Sequence, residues 1–353
     1  MARSCPCGGT GKAKGRHERH VLTAVGPVQL TRGYFTCRRC GEGQFGADAI
    51  LGVRGYLTGG AERMAVLAGV RDSFARAERL LSALAGWQLD DETIRRWTHA
   101  AAARATATRA ERSSGARFAA ADGEIEVQID AGKVNTREGW RDVKLGVFAK
   151  REAGAPTTLD NWAERNLPAP SVRAVVAAVE EADGFAGRVR AEADRLGVTT
   201  AADVTVLGDG AEWIWNLAAD VVPQAVGVLD AFHAIEHLAG AAAAVWGDGT
   251  AAAEARTAAG RIALLRDGKA GIERWVGVAI GAAPVGGSTD PLLAVAAYFA
   301  KHPTRLGYAE RLADGRSIGS GLVEGAVKQL VNRRLKLTGA RWRVDHELQP
   351  PVY

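Results

Sequence analysis

The spacing of hydrophobic positions changes along the chain, and each change marks an element. Residues 124 to 129, "EIEVQI", alternate Ile125, Val127 and Ile129 with polar residues. This is the period of two of a strand with one buried face, and it delivers Asp130 at its end. "RDVKLGVFAK" (141–150) reads as its partner. A helical stretch is expected from about Ser171 to Leu196, followed by a short apolar strand at Val204–Leu207 with Asp209 just past its end. After a further helix, Val226–Leu229 reads as a third strand leading into Asp230. Strands alternating with helices predict an α/β fold with acids at strand ends, where such sheets place their sites. From Gly240 to Asp314 the pattern is helical with no strand, as in an all-α insertion. "SIGSGLVEGAVKQLVNRRLKLTGARWR" then runs from a Gly/Ser loop into a helix with Glu324 one turn in and Lys328, Arg333, Arg334 and Lys336 beyond it.

Upstream, Thr58 to about Ala105 is helical in character. Its second half splits into two helices: Phe74, Ala77, Leu80, Leu81 and Leu84 share a face of the first, and Gly86 stops it. Asp90 or Asp91 can cap the next, which presents Arg95, Arg96 and His99 around Ile94 and Trp97. The shape is that of a helix-turn-helix, with a plain helical hairpin as the alternative. Arg104, Arg109, Arg112 and Arg117 follow through the polar linker "TRAERSSGARF".

Composition adds little until the cysteines. With 353 residues, 47% apolar and 24% charged, the chain has the make-up of a globular protein of two or three domains, neither disordered nor fibrous. The net charge of +5 favours an anionic partner without specifying one. No apolar run is long enough for a signal or a membrane span, so a cytoplasmic, nucleoid-associated protein without a membrane partner is expected. All four cysteines fall in the first 40 residues, as Cys5-Pro-Cys7 and Cys37-Arg-Arg-Cys40. Thiolates so clustered suit a structural Zn²⁺, and the intervening segment reads as a hairpin turning at Gly26-Pro27, the layout of a zinc ribbon. The short C-x-C pair leaves open that His17 or His20 replaces one cysteine as ligand.

Two patterns carry candidate chemistry. His233-Ala-Ile-Glu236-His237 matches the H-x-x-E-H pattern of a metallopeptidase class, but it opens a helix directly after a strand, and no third ligand is evident downstream. Glu236 and His237 therefore read as a solvated helical face, and Trp213, Trp215 and Trp342 as core. Two carboxylates at strand ends and a third on a late helix can instead hold a pair of Mg²⁺ (or Mn²⁺) ions for phosphodiester chemistry.

At these residues the chain resembles bacterial insertion-sequence transposases of the ISKra group, relatives of the mutator-like DDE transposases. The resemblance rests on "QIDAGKVNTREGWRDVKLGVF", "VLGDGAEWIWNLA", "GVLDAFHAIEHL" and "GSGLVEGAVKQLVNRRLKLTGARW", and extends to the cysteines and the helical region. It implies an RNase H-like catalytic core with Asp130, Asp209 and Glu324 as the three metal-binding acids. The family's D-x-x-H element falls on Asp230-Ala-Phe-His233, so that His233 supports the site and Asp230 either assists the metal or holds His233. The implied plan is a zinc ribbon at 1–55, a helix-turn-helix DNA-binding region at 56–118, the core at 119–239, the all-α insertion at 240–314 and the final core helix with its basic segment at 315–353. The implied activity is cleavage of the element's ends and transfer of their 3′-hydroxyls to target DNA by a homo-oligomer on double-stranded DNA, with Arg95, Arg96, Lys328, Arg333 and Arg334 meeting DNA. The sequence stops at "HELQPPVY", where Pro350-Pro351 would end a helix and where relatives run on, so a shortened, catalytically decayed copy that only binds DNA is the alternative expectation.

Overall fold

A computed structural model of the chain describes residues 3–109, 114–337 and 339–344. The linker residue Arg112 and the Pro350-Pro351 stop lie outside them. The chain divides into two compact units, Met1–Ala110 and Glu111–Tyr353.

The first unit opens with β1 (Arg3–Ser4), β2 (Thr10–Thr23), β3 (Gly26–Cys37) and β4 (Gly43–Phe45), which form an antiparallel sheet in that order. The hairpin turns at Ala24-Val25, two residues before the expected Gly26-Pro27. Thr23 closes it locally: its hydroxyl donates to the Gly26 carbonyl at 2.8 Å and accepts from the Val25 N–H at 3.2 Å, while Gly26 supplies the positive φ of 119° that the turn requires. Four helices follow, α1 (Gly46–Leu51), α2 (Gly59–Arg71), α3 (Phe74–Ala85) and α4 (Asp91–Arg109). Thr58 and Ser73 cap α2 and α3 through their side-chain oxygens, left-handed Gly86 ends α3, and Asp90 accepts from the Thr93 N–H at 2.8 Å to start α4.

The core here joins Leu22 of β2 to Leu57, Ala61, Ala65, Ala77, Leu81, Trp87 and Ile94, so ribbon-like sheet and helices share one interior. Of the five apolar positions expected on one face of α3, Ala77 and Leu81 are buried and Phe74 packs beside them, but Leu80 and Leu84 are exposed. α2 contributes mainly alanines to this core, so the buried stripe is narrow and the rest of the apolar arc of α3 stays in solvent.

The second unit contains α5 (Ser114–Ala120), then β5 (Glu124–Thr136), β6 (Gly139–Arg151), β7 (Val172–Ala178), α6 (Ala182–Leu196), β8 (Val204–Gly208), α7 (Glu212–Val221) and β9 (Val226–Leu229). The sheet order is β7-β6-β5-β8-β9: β5 is central, antiparallel to β6 on one side and parallel to β8 on the other. The expected long helix from Ser171 is in fact β7 followed by α6. Its first part is rich in β-branched Val172, Val175 and Val176 and pairs along β6, a tertiary partner that decides between two local possibilities. Four helices follow β9: α8 (Ala231–Trp246), α9 (Ala251–Gly281), α10 (Asp290–Ala300) and α11 (Tyr308–Ala313). Last come α12 (Gly321–Ala326), a π-helical stretch (Val327–Asn332) and α13 (Arg333–Leu335).

The central strand is longer than its alternating segment, and Asp130 lies in its middle rather than at its end. β6 pairs along all of it, from Glu124↔Arg151 to Thr136↔Gly139, whereas β8 leaves it after Ile129. Nor is one face solvated. Ile125, Val127 and Ile129 face the main core of α6 to α10, while Glu126 and Gln128 on the other face are only 1% exposed. The segment from α11 to the π-helical stretch covers that second face. Arg311 pairs with Glu124, Ser317 Oγ donates to Glu126, and Val323, Val327 and Val331 pack on Val134, Val143, Leu145 and Val147. Gly132 permits this approach, because a Cβ there would stand 3.0 Å from Val327 Cγ1 and 3.1 Å from Val331 Cγ1. Among the described residues no helix is long and apolar enough to cross a membrane.

Candidate functional site

Sheet register builds the acid site. Ile129 pairs with Gly208 and Gly208 with Leu229, so the next residue on each of three adjacent parallel strands is an aspartate: Asp130, Asp209 and Asp230. Glu324 arrives from the first turn of α12. That turn is seated on Gln128, two residues before Asp130, whose Oε1 accepts the N–H groups of Leu322 (2.9 Å) and Val323 (3.2 Å). Asp130, Asp209, Asp230, His233 and Glu324 all line one cavity of about 570 Å³. The residues singled out in the sequence thus meet, although Asp130 and Glu324 are nearly the length of the second unit apart.

The four carboxylates are not equivalent. Asp230 is 2% exposed and its oxygens are fully engaged. Oδ1 accepts the N–H groups of Phe232 (2.8 Å) and His233 (3.2 Å), and Oδ2 accepts the Ser320 N–H (2.8 Å) and its hydroxyl. It caps α8 and ties it to the loop before α12, which favours the structural of its two expected roles. Asp209 accepts the Ala211 N–H at 2.8 Å on one oxygen, and its carbonyl receives the indole N–H of buried Trp215 at 2.9 Å. Asp130 accepts the Ala131 N–H at 2.6 Å. Burial raises the Asp130 carboxyl above its ordinary value, and the charges of Asp209 and Glu324 raise it further, against opposing contributions from the Ala131 amide and His233. Carboxylate oxygens are the donors that hard divalent cations take, and these three line one cavity without being gathered tightly enough for a single ion.

His233 lies in the first turn of α8, with Nδ1 3.4 Å from Glu236 and its ring edge-on to His237 at 5.0 Å between centroids. Glu236 is exposed, as expected, but His237 is not on a solvated face. It stacks on Tyr298 with centroids 4.0 Å apart, and burial first, then His233, lowers its pKa. Trp213 and Trp342 pack against hydrophobic clusters, as expected of core residues.

The basic residues reach partners three or four residues away along the chain. Lys328 Nζ is 3.6 Å from Glu324, Arg333 donates to Gln329 at 3.1 Å, Arg95 pairs with Glu92 at 2.6 Å and Arg96 donates to Thr93 Oγ1 at 3.0 Å. Arg334 is partly buried on α13. The residues that the sequence did not single out are Gln128 and Ser320, which seat α12, and Arg165, which lines the cavity. Gln128 stood at an alternating polar position that reads as solvated; nothing local announces the segment that covers it.

In the first unit, the Sγ atoms of Cys5, Cys7, Cys37 and Cys40 all lie within 4.8 Å of one another. Two of the spacings are 3.7 Å (Cys5–Cys40) and 3.5 Å (Cys7–Cys37), close to the about 3.8 Å between sulfurs on a tetrahedral zinc with Zn–S near 2.3 Å. The C-x-C pair suffices because a tight turn returns it: the Gly8 N–H donates to the Cys5 carbonyl at 2.8 Å and the Cys5 N–H to the Gly9 carbonyl at 2.9 Å. The amides of Cys40 and Arg39 lower the Cys37 thiol to about 6. At Cys7 the Gly9 amide favours the thiolate, yet the crowding sulfurs of Cys37, Cys40 and Cys5 push the pKa up to about 12. Four such thiols could hold a structural metal ion such as zinc. No histidine is needed, since His17 packs edge-on against Tyr34 and Phe45 and neither His17 nor His20 joins the cluster. Among the described residues this is the one group of three or more His, Cys, Asp or Glu side chains gathered tightly enough for a single ion.

Compared with protein-family models and with curated proteins, the chain matches none of either.

Proposed function

We propose that the chain is a DDE transposase with an RNase H-like core, a zinc ribbon and a helix-turn-helix region, which cleaves the ends of an insertion sequence and transfers their 3′-hydroxyls to target DNA. The observation that carries this reading is the meeting of Asp130, Asp209 and Glu324 at one cavity, two from parallel strands and one from a helix laid across the sheet. A central β5 flanked by antiparallel β6 and β7 and by parallel β8 and β9 supports an RNase H-like core that includes the start of α8, with residues 240–314, from the later part of α8 through α9, α10 and α11, as the helical insertion.

Asp130, Asp209 and Glu324 would hold Mg²⁺ or Mn²⁺, which when bound activates the attacking oxygen and stabilises the leaving one. Asp230 contributes by fixing the start of α8, and hence His233, against the loop that carries Ser320. Lys328, one turn beyond Glu324, is positioned to exchange its carboxylate partner for a DNA phosphate once the carboxylate binds a cation. Double-stranded DNA is the partner, held by a homo-oligomer that pairs the two ends.

The test is strand cleavage of DNA flanking the coding sequence on either side, with Mg²⁺ or Mn²⁺. Nicks at defined positions that disappear in Asp130→Asn, Asp209→Asn and Glu324→Gln are expected. Specific binding without cleavage under any divalent cation would reduce the protein to the decayed, DNA-binding alternative.

A further inference from the structure

The cavity wall carries a cation that, among the described residues, makes no ion pair, the charge of Asp230 acting on it only from a distance. Arg165 follows the short 3₁₀ turn Trp162–Glu164 between β6 and β7 and lines the same cavity as the acids. Its guanidinium carbon lies 5.9 Å from the Trp162 ring centroid and 5.7 Å from that of Phe232, two rings themselves 5.7 Å apart. One terminal nitrogen donates to the Trp162 carbonyl at 3.3 Å, but Nε is buried without a hydrogen-bond partner, and among the described residues Arg165 makes no ion pair. The second arginine of the wall, Arg151, is committed to Glu126 at 3.1 Å and to the Pro168 carbonyl. Asp230, the buried acid nearby, has its oxygens occupied by Phe232, His233 and Ser320.

Two aromatic rings thus flank a planar, permanently charged fork in a cavity wall, with one terminal nitrogen on the Trp162 carbonyl and Nε without a partner. A guanidinium held between rings in this way, with terminal N–H groups to spare, is placed for a charge-assisted contact with a phosphate. We propose that Arg165 binds a non-bridging phosphate oxygen of a nucleic-acid backbone lying in the acid cavity. The inference rests on the transposase reading for its substrate class, but its geometry is independent of the acids' role. Within that reading, the cations held by Asp130, Asp209 and Glu324 and the guanidinium of Arg165 would share the charge of one phosphodiester. Arg165 would then act on the transition state more than on overall DNA affinity.

Two measurements on the full-length chain test this. The first is calorimetric titration with inorganic phosphate in the presence of Mg²⁺, which needs no turnover. Wild type should bind, and Arg165→Ala should bind much more weakly at an unchanged thermal midpoint. The second is cleavage of the flanking DNA. Arg165→Ala should lose about 10²-fold or more, as when one donor to a developing charge is removed, with DNA affinity nearly retained and partial recovery on adding guanidinium ion. Equal phosphate binding by wild type and variant, or cleavage by the variant as fast as wild type, would overturn the proposal. If wild type never cleaves, the transposase reading fails while the phosphate titration still decides the role of Arg165. Should Arg165→Ala not fold, Arg165→Lys decides: it keeps the charge but loses the fork, so weaker phosphate binding supports the proposal and unchanged binding overturns it.

Discussion

Gln128 and Leu322 stand 194 positions apart, and a 2.9 Å hydrogen bond from the Leu322 N–H to Gln128 Oε1 joins them. Val323 donates to the same oxygen, so one buried side chain on β5 receives two first-turn amides of α12 and sets where Glu324 starts. Gln128→Ala would leave both amides buried without an acceptor, at a cost of about 1–3 kcal/mol. The thermal midpoint should fall by about 2–4 °C per kcal/mol for a unit of this size, and cleavage should fall further because Glu324 loses its seat. Zinc content should not change. Wild-type cleavage by Gln128→Ala would show that α12 is positioned by its valine contacts alone.

Asp130 should be a liability without metal. Its folded pKa lies above the unfolded value of about 3.9. At neutral pH its ionisation therefore costs stability, and the cost disappears as pH falls through the raised value towards the unfolded one. Asp130→Asn should accordingly raise the thermal midpoint of the metal-free protein at pH 7, with the advantage shrinking towards pH 4. Adding Mg²⁺ should close the gap by stabilising wild type only. Scanning calorimetry of both proteins across pH, with and without Mg²⁺, decides. A variant less stable than wild type throughout would mean that Asp130 is held by favourable contacts rather than opposed by like charges.

How far the sequence could be read is clearest on β5. Its alternation located the strand and Ile125, Val127 and Ile129 as its core face, and the acids Asp130 and Asp209 stood where parallel pairing ends. What the pattern could not carry was the far side. Glu124, Glu126 and Gln128 look solvated, and become buried only because Arg311, Ser317 and the first turn of α12 return from the end of the chain to satisfy them. β7 was missed for the same reason: Val172 to Ala178 is apolar enough for either helix or strand, and pairing with β6 decides. Arg165 gave no local signal, because its significance lies in what fails to pair with it.

Asp230 and Asp209 should separate cleanly although both line the cavity. Asp230→Ala removes the acceptor for four donors in a buried place and should destabilise by several kcal/mol, with soluble yield falling before activity can be judged. Asp209→Asn keeps an oxygen for the Ala211 N–H and should fold with a near-wild-type thermal midpoint while abolishing cleavage. Measuring thermal midpoint and cleavage together checks both. Full stability in Asp230→Ala would mean that its hydrogen bonds do not fix α8.

Purified in the presence of zinc, the full chain should carry about one ion per molecule at the four cysteines, a stoichiometry read by elemental analysis. Cys37→Ser should lose most of it. Because Leu22 at the far end of β2 belongs to the core that α2, α3 and α4 share, metal loss should also loosen those helices rather than the hairpin alone. Their amides should exchange faster after chelation, with the α/β unit unaffected. A chelated protein with unchanged protection in both units would remove zinc from the account of stability.

Salt dependence tests the DNA contacts. Arg95, Arg96, Lys328 and Arg333 each engage a partner three or four residues away along the chain, the acids of Arg95 and Lys328 being well exposed. Exposed pairs of this kind are worth at most about 1 kcal/mol, so they cost little to exchange for phosphates. Each phosphate neutralised contributes about −0.9 to the slope of log K against log salt. If Arg95 and Arg96 both meet phosphates, replacing them together should flatten the slope by about 1.8. Replacing Arg333 with Arg334 should weaken binding to flanking and random DNA alike, whereas replacing Arg95 with Arg96 should weaken mainly the flanking sequence if α4 reads base edges. Fluorescence anisotropy on both DNAs over a salt series separates these outcomes. Equal losses for both pairs on both DNAs would leave α3 and α4 as a plain helical hairpin, and the recognition of the element's ends would have to lie elsewhere in the chain.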